Sequence, residues 1–170
     1  MMKTLIYLFT SALLCISCST ANNSQEPEKS LAEVNGTKLY YEVVASGEPI
    51  IFVHGNFGDV RHWDFQVEPF SGKLKVVRYD VRGYGKSAVP DTVTSYRDCD
   101  DLRALMDFLK IEKAHICGLS MGSGIVIDFA LAYPSRCLSL IPIGPWPNGW
   151  RVKIPAFRSV DGMWIKKSLT

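Results

Sequence analysis

Along residues 34–145 two hydrophobic rhythms take turns. Short, almost wholly apolar runs suit strands buried on both faces: "PIIFVHG" from Pro49, "LKVVRYD" ending at Asp80, "AHICGL" from Ala114, and "LSLIPI" over 138–143. Between them lie stretches with helical spacing. One covers 60–70; a second, 96–109, carries Leu102, Leu105, Met106 and Leu109 on one stripe; a third runs from Gly122 to Tyr133 and is stopped by Pro134. A further strand, Lys38 to Ala45, is entered through an Asn35–Gly36 turn. Strands alternating with helices predict an α/β layer fold, a mostly parallel sheet flanked by helices. No internal repeat or low-complexity tract interrupts the order.

The first thirty residues follow neither rhythm. Lys3 is followed by an uncharged, mostly apolar run from Thr4 to Ser17 and then by the polar stretch Asn22 to Ser30, the layout of a secretory signal. The apolar centre is roughly fifteen residues, short of the ~20 that a membrane-spanning helix needs. Its end, "LLCISCSTANNS", resembles the lipobox of bacterial lipoproteins, with Cys18 as the residue acylated after cleavage behind Ser17 and Cys15 where that motif usually has leucine. Ordinary cleavage near Ala21 is the alternative. The signal region spans residues 1–21, with cleavage before Cys18 on the lipoprotein reading, and 22–33 is a tether; on either reading the protein is expected to be exported. The lipidated form would be a periplasmic or outer-membrane lipoprotein of a bacterium, touching the membrane through Cys18.

Composition narrows the classes further. The chain has 170 residues, one domain by size, and a net charge of +2 with no block of like charges, so no nucleic-acid partner is expected. The Lys166–Lys167 pair reads as a solvated face. Of five cysteines, Cys15 and Cys18 fall in the signal; Cys99, Cys117 and Cys137 lack the CxxC spacing of zinc or redox sites and are expected as buried free thiols. No metal is expected.

The candidate chemistry centres on Ser120. Gly118, Leu119, Ser120, Met121 and Gly122 spell G-x-S-x-G between a buried strand and an apolar helix, the setting in which that short pattern is informative. Glycines on both sides permit a tight, strained turn that pushes the serine outward. A helix starting beside the serine points N–H groups and its positive dipole end at charge formed there. Two more stretches agree. "IIFVHGNFGD" puts His54, Gly55 and Asn56 at the end of one strand, and "YDVRGYGKS" puts Asp80, Arg82, Gly83, Gly85 and Ser87 after the next. G-K-S also closes a phosphate-loop pattern, but Asp80 stands where that pattern needs glycine, and Pro90 obstructs the helix that should follow.

Together these three motifs resemble the α/β-hydrolase superfamily, in its order and at similar separations, over about residues 34–145. The resemblance implies a nucleophile elbow at Ser120, an oxyanion hole from the backbone N–H groups of Asn56 and Met121, and structural roles for His54, Gly55, Gly118, Gly122, Asp80 and Arg82. It implies a small-molecule acyl substrate and no cofactor. It argues against the dehalogenase and epoxide hydrolase branches, which carry aspartate at the nucleophile.

A serine nucleophile needs a histidine to take its proton and a carboxylate to orient that histidine. All three histidines precede Ser120. His115 starts the strand that ends at Ser120, roughly 16 Å away at about 3.3 Å per residue. His62 would have to fold back, and His54 stands in the turn-shaping motif. In the resembled family the order is nucleophile, acid, histidine, and of the acids after Ser120 neither Asp128, inside the elbow helix, nor Asp161 matches the acid position. The expectation is an incomplete α/β-hydrolase fold, an N-terminal part whose residues 146–170 begin the cap region and whose last strand offers an open apolar edge. Three functions follow: a serine hydrolase of an ester, thioester or similar acyl bond, weak or inactive as this chain; a non-catalytic remnant or membrane-tethered binding module; or a haloperoxidase or acyltransferase sharing the elbow.

Overall fold

The computed structural model describes residues 26–91, 93, 95–145, 157–160 and 163–166. The signal segment with Cys18 and most of the expected cap region, Asp161 included, lie outside the described residues.

Six strands form one sheet: β1 (Glu28–Val34), β2 (Thr37–Val44), β3 (Glu48–Val53), β4 (Leu74–Tyr79), β5 (Ala114–Leu119) and β6 (Cys137–Ile143), in the order β1-β2-β4-β3-β5-β6. β1 and β2 enter antiparallel; β4, β3, β5 and β6 are mutually parallel. A separate antiparallel pair, β7 (Phe157–Val160) and β8 (Met163–Lys166), follows. The helices are α1 (Asp64–Ser71), α2 (Asp98–Phe108) and α3 (Met121–Ala132). No helix among the described residues is long and apolar enough to cross a membrane.

The apolar runs behave as strands buried on both faces because alternate side chains feed two cores. In β3, Ile51 and Val53 join the larger core with Leu102, Leu105, Ile125 and Phe129 of α2 and α3. Ile50 and Phe52 face the other way, into a smaller core with Trp63, Val76 and Cys117. Phe52 packs against Trp63 with ring centroids 4.7 Å apart. Burying both faces of the central strands fixes their register, since a one-residue slip would exchange the two cores.

Four expectations need adjustment. Residues 28–33, expected as tether, belong to β1: its side chains are mostly exposed, so "EKSLAEV" carries little hydrophobic signal, yet Ala32 is fully buried opposite Leu39 and the backbone pairs from Glu28 to Val34. The 60–70 helix splits into a 3-10 turn at Val60–Trp63, capped by the Asp59 carboxylate accepting from Arg61 N–H, and α1. The second helix starts at Asp98 rather than residue 96, with three acids in its first turn against the positive end of its dipole. Cys99 and Cys117 are buried, but Cys137 is only half-buried at the start of β6. Burial pushes the Cys99 and Cys117 thiols up to about 11 and about 12, which makes them poor nucleophiles.

Candidate active site

Ser120 links β5 to α3 with φ 51° and ψ −109°, a conformation an L-residue adopts only when its surroundings impose it. Two glycines make room for that turn. A Cβ on Gly118 would lie 2.3 Å from the Gly122 carbonyl oxygen, and one on Gly122 would lie 2.4 Å from the Val53 oxygen and 2.6 Å from the His54 oxygen. The start of α3 is therefore pressed onto the end of β3, which no larger residue would allow. Gly55 sits against the same point: a Cβ there would be 3.3 Å from Leu119 O and 3.6 Å from Ser120 Cβ. The His-Gly turn and the elbow are thus adjacent.

Further hydrogen bonds brace the elbow from β6. Ser120 N–H donates to Ile143 O at 2.8 Å, and the buried Ser123 hydroxyl shares its proton between Gly118 O and Ile143 O, both at 2.7 Å. Ser123 was invisible to motif reasoning, because a serine inside an apolar helix announces no partner. Met121 is the first residue of α3, so its N–H has no carbonyl within the helix to bond. The Asn56 side chain accepts from the Tyr84 hydroxyl at 2.6 Å and from Phe57 N–H at 3.1 Å, which pins the turn carrying the Asn56 amide to the 81–84 loop.

The motif residues beside the site are each held by several hydrogen bonds. His54 is fully buried; Val81 N–H donates to its Nε2 at 3.0 Å, so Nδ1 carries the proton and donates to Gly55 O at 2.8 Å. Burial holds its pKa below the usual histidine value, in keeping with a neutral ring. The Asp80 carboxylate accepts from Val60 N–H and Lys86 N–H, each at 2.8 Å, and a Cβ on Gly85 would collide with it at 2.1 Å. Arg82 grips Asp101 with two bonds of 2.7 Å, donates to Asn35 O at 2.9 Å, and stacks 4.2 Å over the Tyr96 ring. A second buried pair, Arg78 with Glu42, lies under the sheet's antiparallel side and binds Asp64 as well. Its sequence signal was a single charge in each of two apolar strands, "YYEVV" and "KVVRY".

No imidazole bonds the Ser120 hydroxyl among the described residues. His62 is exposed, lies over Gly58, and its Nδ1 accepts from Gly55 N–H at 3.3 Å. His115 is at the opposite end of β5, bonded to Ser139 and Glu48. Asp128 lies beside the start of α2, where burial raises its carboxyl and Arg97 opposes the shift. Its charge is also felt by Asp98 on that helix. No cluster of metal-ligating side chains occurs among the described residues.

A strained serine between a parallel strand and a helix, with a His-Gly turn beside it on the neighbouring strand, defines an α/β-hydrolase elbow. The profile of the alpha/beta hydrolase fold family matches residues 48–167, and the chain belongs to that family. Its relatives perform several reactions. It is 35% identical over 126 residues to the dihydrolipoyllysine-residue acetyltransferase component of the acetoin cleaving system of Pseudomonas putida, covering 71% of this chain and 33% of that protein. It is 33% identical over 115 residues to a putative carbamate hydrolase of Azorhizobium caulinodans, covering 66% of this chain and 41% of that one. With the 2-hydroxy-6-oxo-6-phenylhexa-2,4-dienoate hydrolase of Comamonas testosteroni it shares 30% identity over 130 residues, 73% of this chain and 46% of the relative. Among solved structures, a meta-cleavage product hydrolase superposes with a TM-score of 0.65 at 30% identity, over 68% of this chain and 45% of that one. The chain spans less than half the length of these relatives.

Proposed function

We propose that the protein is a serine hydrolase acting on an ester, thioester or similar acyl bond of a small molecule through an acyl-Ser120 intermediate. The observation that carries this is the elbow itself: a serine held at φ 51° at the start of α3, with Gly118 and Gly122 at positions where any side chain would collide with backbone. Ser120 Oγ attacks the acyl carbon, and the N–H groups of Asn56 and Met121 receive the oxyanion. Its proton passes to a general base and is returned to the leaving alcohol or thiol as the acyl–leaving-group bond breaks; among the described residues, the three imidazoles are bonded to other groups. Treatment with a p-nitrophenyl ester, acid quench and mass mapping test the proposal: an acyl group on Ser120 supports it, and ester cleavage that leaves Ser120 unlabelled refutes it.

A second reading, a binding module that keeps the pocket without turnover, is favoured by the engagement of all three imidazoles elsewhere. A folded protein that binds acyl compounds but never acylates at Ser120 would establish it. The sequence supports two further proposals, export and lipid attachment at Cys18. Incorporation of radiolabelled palmitate that is lost in Cys18→Ser would support lipidation; equal incorporation by that variant would exclude Cys18.

A further inference from the structure

At the end of the sheet far from Ser120, three side chains from three strands form one hydrogen-bonded line. Register sets Ser139 of β6 opposite His115 of β5, and His115 opposite Ile50 of β3, two residues beyond Glu48. His115 Nδ1 is 2.8 Å from Ser139 Oγ, and Nε2 is 2.8 Å from Glu48 Oε1. A neutral ring satisfies both contacts in one tautomer only: Nε2–H donates to the carboxylate, which leaves Nδ1 to accept from the serine hydroxyl. The line is open to solvent, with His115 27% and Glu48 59% exposed.

We propose that Ser139, His115 and Glu48 form a second nucleophile, independent of Ser120, that reacts with activated aryl esters. Ser139 Oγ bonds to the acyl carbon while its proton passes to His115 Nδ1, and the acyl–aryloxide bond breaks as that proton is returned to the departing phenolate. Glu48 orients the ring and stabilises the transient imidazolium. The ring is turned over relative to the Ser-His-Asp arrangement, with Nδ1 rather than Nε2 facing the serine. Among the described residues no helix starts beside Ser139, in contrast to Ser120 at the start of α3. The chemistry at Ser139 is confined to reagents with good leaving groups.

The test treats the whole protein with p-nitrophenyl acetate, quenches in acid and maps acetylated serines by mass. The expected result is acetyl on Ser139 at least roughly tenfold faster in the folded protein than in the same chain in urea, from general-base assistance. His115→Gln should remove that advantage and Glu48→Gln reduce it several-fold. Acetylation of Ser139 no faster folded than unfolded overturns the proposal without relying on any variant, as does a rate unchanged in His115→Gln. Because the label is mapped, acetylation of Ser120 alone would sustain the function proposed above and refute this one; acetylation of Ser139 alone would do the reverse.

Discussion

The two ends of the sheet carry serines with opposite endowments. Ser120, at the carboxyl end of β5, has strained backbone, a helix start beside it and close-packed glycines, but its hydroxyl has no imidazole partner among the described residues. Ser139, near the amino end of β6, has an imidazole and a carboxylate in line but lies within a strand, with no helix start beside it among the described residues. The first end is built by steric exclusion, the second by side-chain hydrogen bonds on a register that the apolar cores already fix. On the two proposals above, the first end would supply charge stabilisation and the second proton acceptance.

If the elbow depends on steric room, the largest effects should follow from filling it. Gly118→Ala and Gly122→Ala each place a Cβ within 2.4 Å of a backbone oxygen, and each should cost on the order of 4–5 kcal/mol or abolish folding, read by urea unfolding. Next in size is the buried ion pair that fixes the 81–84 loop. Asp101→Ala strands the Arg82 guanidinium and should cost about 3–5 kcal/mol, whereas replacing both partners with apolar residues should cost less than either single change.

A pH-dependent effect of intermediate size sits at Asp98, whose carboxyl burial pushes up from 3.8 to about 6. The fold then holds this proton more tightly than the unfolded chain does, so the contribution is present at low pH and lost as pH rises from 3.8 to about 6. Asp98→Asn should gain about 1–2 kcal/mol over wild type at pH 7 and almost nothing near pH 2.5, after discounting for partial exposure. Smallest of all, Glu48→Gln at the amino end should change stability by about 0.5 kcal/mol or less, as expected of a solvent-screened pair. A loss of several kcal/mol there would mean that the lower line is a structural clamp.

The central strands and helices were legible because burial on both faces leaves a strong apolar record, and the elbow was legible because only glycine fits its flanks. β1 was not, since a strand with one buried face and few large side chains looks like a linker. Motif position drew attention to His54 and Asp80, but their partners, the Val81, Val60 and Lys86 amides, are backbone groups with no sequence signature. The Ser139–His115–Glu48 line could not be read at all, since it depends on strand order and register across residues up to 91 positions apart.

The most direct measurement is a crystal structure of the protein after prolonged exposure to an alkyl fluorophosphonate. The account predicts a phosphonyl group on Ser120 Oγ, with its free oxygen about 2.7–3.1 Å from the amide nitrogens of both Asn56 and Met121. An unmodified Ser120, or an adduct whose oxygen points away from those two amides, would contradict it.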